Sequence, residues 1–237
     1  MKNPISSRIL PLLPVTTGVL ALVFRFWLYS AGMDSKGLLL RSHPGHLLIW
    51  LTVGVTLLLT AAAAANFRSK DGFQFSKLSL VGACLAASGL LVTDFTELMS
   101  IQDTVNFVSF LLGLAAAVGL VCIGVYRGRD CLLSQVSAGI LTVYFMVHMI
   151  VQYRQWSGEP QLQNYVFPML ASLFLMLCGY YRTALEQTGK GLRWFVFFNQ
   201  MALFCSLVSL NTDSWLFYAA MGVWTLTDLP VSRREEA

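Results

Sequence analysis

The sequence predicts an all-α fold, a polytopic integral membrane bundle of eight transmembrane helices that forms one domain across residues 1–237. Composition is the first reason: 56% of the residues are hydrophobic and 12% are charged, whereas soluble domains are about a quarter charged. The second reason is that the apolar residues fall in runs of about 20, the length that a helix needs to cross a bilayer. The third is that most Lys and Arg residues lie in short loops on one side of these runs.

Eight apolar runs meet, or come close to, the length of a membrane-spanning helix. In chain order they cover residues 9–31, 44–66, 77–100, 104–126, 132–152, 162–184, 192–210 and 214–229. The last run is the shortest, and Asn211, Thr212 and Asp213 alone separate it from the seventh. The alternative to eight spans is therefore seven spans followed by a short re-entrant or interfacial segment.

Prolines and one arginine define details of these helices. Pro11, Pro14 and Arg25 interrupt the first run, so we expect a retained helix there and not a cleaved signal peptide. Pro44 suits the first turn of helix two, where its missing N–H is not needed. Pro168 would lie inside helix six and is expected to kink that helix.

Small residues at four-residue spacing recur in helices two, three and four. Examples are the alanine run 61–65, the pair Gly82 and Ala86, and the pair Gly113 and Ala117. Such residues let helix backbones approach closely in lipid. We therefore expect these three helices to form the centre of the bundle.

Positive charges are distributed unequally between the two sides of the predicted bundle. Of the 16 Lys and Arg residues, Lys36, Arg41 and Arg154 lie on one side and Arg25 lies within helix one. The other twelve share the opposite side: Lys2, Arg8, Arg68, Lys70, Lys77, Arg127, Arg129, Arg182, Lys190, Arg193, Arg233 and Arg234. Because Lys and Arg concentrate in cytoplasmic loops, this predicts a cell-membrane protein with both termini cytoplasmic.

Counting residues from these inner cations places several side chains at one depth, in the outer part of the hydrocarbon. At 1.5 Å per residue they lie roughly 25–27 Å above the inner boundary. Asp94 and Glu97 share one face of helix three, with Glu97 slightly higher, and acids at this depth need a partner, water or a function. The candidate ligand-binding residues are Arg25, Trp50, Asp94, Glu97, His148 and Tyr165.

This polar layer supports two classes of function. The first is a transporter- or permease-like protein that binds a small polar or ionic solute in an outward-facing pocket, with Arg25 or His148 beside the acids. The second is a scaffold, a sensor or a subunit of a membrane complex, whose polar layer only holds the bundle together. The partners in either case are the lipid bilayer and a second copy of the chain or another membrane subunit. No basic tract with interleaved aromatic residues is present, so nucleic acid is not expected as a partner.

A third hypothesis is a metal- or haem-dependent membrane enzyme that uses His43, His46 and His148. Two imidazoles three residues apart, a third histidine and a carboxylate could complete a zinc site, and two histidines could ligate a haem. No hydrolase or nucleotide-binding motif is present, so the sequence offers no catalytic residues and an enzyme is not the favoured class. The five cysteines lie singly in or beside apolar runs, and no cofactor is expected.

Overall fold

A computed structural model describes residues 11–33, 39–40, 43–66, 73–100, 104–126, 131–157 and 165–232. Within these ranges the chain forms a bundle of eight helices, as predicted. In chain order they are α1 Leu12–Ala31, α2 Pro44–Asn66, α3 Leu78–Ser100, α4 Thr104–Tyr126, α5 Leu132–Trp156, α6 Val166–Thr188, α7 Leu192–Val208 and α8 Trp215–Thr227. Two short strands accompany them, β1 Phe73–Phe75 and β2 Pro230–Ser232.

The first six helices are long and apolar enough to cross a membrane, each with 20 to 25 residues. The chain is therefore a multi-pass membrane protein. The last two are shorter, with 17 residues in α7 and 13 in α8. Both pack inside the bundle with the long helices, since α7 contacts α6 and α8 contacts α3.

Six helices form a closed ring, in which each of α3 to α8 packs on the next and α8 returns to α3. The pair α1 and α2 lies outside this ring and packs against α7. As a result α7 is enclosed on several sides, and 11 of its 17 residues are buried.

The expectation that α2 belongs to the centre was wrong, whereas α3 and α4 are neighbouring members of the six-helix ring. The main contacts of α2 are with α1 and α7, and a Cβ at its Gly54 would meet no atom within 4 Å. Small residues permit a close approach between helices but do not require one. In α3, by contrast, Gly82 lies so close to Thr227 of α8 that a Cβ there would overlap its hydroxyl oxygen.

The two strands tie distant parts of the chain together at one end of the bundle. Strand β1 precedes α3 and β2 follows α8, and they pair antiparallel with Phe75 opposite Pro230. We call this end of the bundle the clasp end. A three-residue strand in a chain of helices gives almost no periodic signal in the sequence. The two strands were therefore not predicted.

The start of α6 differs from the prediction and changes the role of Pro168. The helix begins at Val166, so the proline lies in the first turn. There its missing N–H has no partner to lose within the helix. Pro168 therefore marks a helix start, and the predicted kink has no cause.

Candidate functional site

Asp94, Glu97 and His148 meet inside the bundle. Each offers one ligand atom, a carboxyl oxygen or an imidazole nitrogen, and these atoms all lie within 4.8 Å of one another. Asp94 and Glu97 come from α3 and His148 from α5, in a ring where α4 packs against both. Asp94 is 3% exposed and His148 1%, while Glu97 is half-buried. We call this group the acid–histidine cluster.

Tyr144 links the two helices of the cluster. Its hydroxyl donates a hydrogen bond of 2.9 Å to Oδ1 of Asp94. Its ring stacks on that of His148, one turn further along α5, with centroids 5.6 Å apart. The ring of Phe217 on α8 also packs against the imidazole of His148, with the two ring centroids 4.3 Å apart. The carboxyl and imidazole groups are therefore both fixed by direct contacts.

A glycine of α4 makes room for the aspartate. A Cβ at Gly113 would overlap Oδ2 of Asp94 and come within 3.3 Å of Leu90. The absence of a side chain at Gly113 thus lets α4 close over the acid. The small-residue pattern at Gly113 and Ala117 is consequently part of the cluster's construction.

Above His148 the buried face of α5 remains polar. Tyr144, His148 and Gln152 follow at four-residue spacing, and all three are buried. The hydroxyl of Tyr218 on α8 donates to Oε1 of Gln152 at 3.0 Å. Together these groups form a polar column along the buried face of α5.

Arg25 is buried and contacts residues of α1, α6 and α7, whereas the cluster lies on α3 and α5. Its Nη1 donates a 2.7 Å hydrogen bond to the carbonyl oxygen of Val208, at the end of α7. The guanidinium also lies 5.6 Å from the ring centre of Phe167 and 5.7 Å from that of Tyr29. Arg25 is 3% exposed, so it stays inside the protein and does not extend outwards to the membrane surface.

Trp50 and Tyr165 lie among aromatic side chains. Trp50 is 54% exposed on the outer face of α2, with its ring 6.0 Å from Phe167. Tyr165 stacks on Trp156 at the end of α5, with ring centroids 4.4 Å apart. Trp50, Tyr165 and Arg25 therefore stand on or beside other helices than those that carry Asp94, Glu97 and His148.

The two histidines near the start of α2 are not members of the acid–histidine cluster. Nδ1 of His43 accepts a hydrogen bond of 3.2 Å from the N–H of Gly45, and its ring meets the edge of Trp27. Across the described part of the chain, the group of three or more possible metal ligands is Asp94, Glu97 and His148. His148 is thus the one predicted metal candidate that the structure brings to carboxylates.

A second buried polar group lies near the clasp end. Arg182 of α6 is fully buried and donates to Oε1 of Glu186 at 2.8 Å and to Oδ2 of Asp228 at 2.6 Å. The other oxygen of Asp228 accepts from the Ser79 hydroxyl at 2.7 Å. The guanidinium carbon stands 3.1 Å from the ring centre of Phe75, on the β1 strand. We call this group the arginine network.

Tyr144 was not among the predicted site residues, and Arg182 was predicted only as a cation at the inner end of helix six. A signal for Tyr144 was present, since it precedes His148 by four residues and Gln152 follows by four. For Arg182 the partner Glu186 at i+4 was a similar signal. Asp228, however, is 46 residues away along the chain, and only the tertiary packing, in which α7 contacts both α6 and α8, brings the two together.

No protein-family model matches this chain, and no curated protein or solved structure matches it either.

Proposed function

We propose that this multi-pass protein binds a small cationic solute at the acid–histidine cluster and acts as a transporter or permease in the cell membrane. The observation that supports this best is the meeting of Asp94, Glu97 and His148 within 4.8 Å. Two carboxyl groups and an imidazole present oxygen and nitrogen lone pairs to one point. Acidic side chains within a membrane interior are costly and usually serve an ion or substrate path.

The two ends of the bundle differ in a way that suits an outward-facing site. At the clasp end, the arginine network and the β1–β2 pair join α3, α6 and α8. The cluster lies further along α3, since Asp94 is 16 residues beyond the first residue of that helix, about 24 Å at 1.5 Å per residue. Glu97 is half-buried and leads from the buried pair towards the opposite end.

The loop charges support an orientation with the clasp end in the cytoplasm. Arg182 is buried and no longer counts among the loop cations, which leaves eleven on that side against Lys36, Arg41 and Arg154. This remaining excess follows the positive-inside rule. A tag after Ala237 should therefore resist external protease in intact cells and become sensitive after permeabilisation. Cleavage in intact cells would reverse the orientation.

Uptake into proteoliposomes tests the function itself. The panel comprises sodium, potassium, magnesium, manganese, zinc and small organic ammonium ions. We expect flux of one member to fall at least about tenfold in Asp94→Asn, because the charged ligand of a buried site is lost. The matched control is Asp213→Asn, since Asp213 is an exposed acid in the turn between α7 and α8.

The same experiment distinguishes the alternative of a scaffold, sensor or membrane subunit. The discriminating quantity is equilibrium binding of the panel ions to the purified protein in detergent. Binding that depends on Asp94 without flux would favour a sensor. A folded protein that neither binds nor transports any member would refute the proposal, and the cluster would then be a structural contact between α3 and α5.

A further inference from the structure

We infer that the acid–histidine cluster is a binding site for a divalent transition-metal ion of the manganese-to-zinc group. The ligands would be one oxygen each of Asp94 and Glu97 and one nitrogen of His148. This inference deepens the proposed function, because it names the class of cation. Three features of the site support it: the spacing of the donor atoms, their chemical types, and the contacts that position the ligand side chains.

The donor atoms already lie close to the spacing that one metal ion imposes. Donors at 2.0–2.2 Å from a metal are about 3.0–4.4 Å apart for angles between 90° and 180°. The three atoms here lie within 4.8 Å of one another. These separations therefore extend only slightly beyond the range that one ion imposes.

Buried polar atoms without partners provide an independent observation. Nε2 of His148 and Oδ2 of Asp94 are buried and make no hydrogen bond with the described residues. Such atoms are costly when left unsatisfied. A neutral imidazole offers a lone pair to a metal, and His148 presents its ring to the two carboxyl groups.

The donor set indicates the kind of metal. Magnesium and calcium prefer oxygen ligands alone, and soft ions prefer thiolates. One imidazole with two carboxylates is the mixed set that manganese, iron, cobalt and zinc accept. Cys178 and Cys205 are buried elsewhere in the bundle and are not members of the group.

Tyr144 would act as a positioning residue for this site. Its hydroxyl fixes Oδ1 of Asp94 at 2.9 Å, and its ring supports the imidazole of His148. Outer partners of this kind orient metal ligands, and their loss costs about 10–100-fold in affinity. Glu97, half-buried, is the ligand through which an ion would enter, with water completing the coordination.

The test is titration of the purified, detergent-solubilised protein with cobalt(II), whose visible absorption reports on its ligands, followed by competition with zinc and manganese. We expect one cobalt per chain and a spectrum that zinc abolishes. His148→Gln and Glu97→Gln should weaken binding more than the about 10–100-fold expected for the outer partner in Tyr144→Phe. The matched control is His46→Gln, and all variants are checked for an unchanged elution volume and unfolding temperature.

Each outcome decides the inference. Stoichiometric binding that depends on Asp94, Glu97 and His148 supports it. Binding that is unchanged in both His148→Gln and Glu97→Gln overturns it, because the metal would then sit elsewhere. Should His148→Gln fail to fold, the half-buried Glu97→Gln variant decides alone. If cobalt, zinc and manganese all fail to bind while another cation is transported in an Asp94-dependent way, the inference fails and the proposed function stands. If no cation binds at all, both fail.

Discussion

Replacement of Arg182 by methionine should destabilise the protein strongly, because it leaves two buried acids without their cation. Arg182 is fully buried, and its two ionic hydrogen bonds to Glu186 and Asp228 measure 2.8 Å and 2.6 Å. Breaking a buried ion pair by removal of one partner costs about 3–5 kcal/mol. At about 2–4 °C per kcal/mol for a chain of this length, the unfolding temperature should fall by about 6–20 °C.

The same physics predicts that removal of all three charges is less harmful than removal of one. Replacing Arg182, Glu186 and Asp228 together by Met, Leu and Leu leaves no buried charge in the arginine network. Such replacements often change the free energy of unfolding little. The triple variant should therefore unfold at a higher temperature than Arg182→Met alone. The matched control is Arg193→Met, since Arg193 is an exposed arginine at the start of α7 and its loss should have little effect.

Thiol reactivity during heating provides the assay. Cys178 and Cys205 are buried, whereas Cys84 is exposed and Cys122 and Cys131 are partly exposed. With the last three replaced by serine in every variant, a fluorogenic maleimide reports the exposure of the two core thiols. An Arg182→Met protein as stable as Arg193→Met would refute the reasoning, as would a triple variant less stable than the single one.

Three further substitutions, with Gly139→Ala as a control for the first, test the packing around the two polar groups. Gly113→Ala would push its new methyl group into the Asp94 carboxyl group, which should cost about 1–3 kcal/mol of stability and weaken cobalt binding. The new methyl group of Gly139→Ala would meet no atom within 4 Å, so this variant should stabilise α5 by about 0.5–1 kcal/mol. Thermal unfolding would check both stability changes. Gly82→Ala should cost a similar 1–3 kcal/mol, because its methyl group would meet α8, and an unchanged unfolding temperature would contradict that contact. Phe75→Ala should cost about 3–5 kcal/mol, since the ring is fully buried against the arginine network; a loss below 1 kcal/mol in the same assay would show that the clasp contributes little.

The sequence alone determined the membrane class and the helices. Long apolar runs specify spanning helices because a backbone in lipid must satisfy its hydrogen bonds within the helix. Counting at a fixed rise per residue then assigned similar depths to Asp94 and His148, without any knowledge of neighbours. The structure brings these two together with Glu97, so depth was a useful guide for residues on helices that pack close to each other.

Only the tertiary structure decided which residues at one depth are neighbours. Depth is a single coordinate, while proximity also depends on the position of each helix in the plane of the membrane. Arg25 and Asp94 were assigned the same depth, yet Nη1 of Arg25 donates a hydrogen bond to the carbonyl oxygen of Val208 at the end of α7. Likewise Asp228 lies beside Arg182 because α6, α7 and α8 pack in sequence around the ring. In lipid all apolar helix faces are nearly equivalent, so close packing and a few buried polar contacts determine the arrangement, and these arise only when the helices meet.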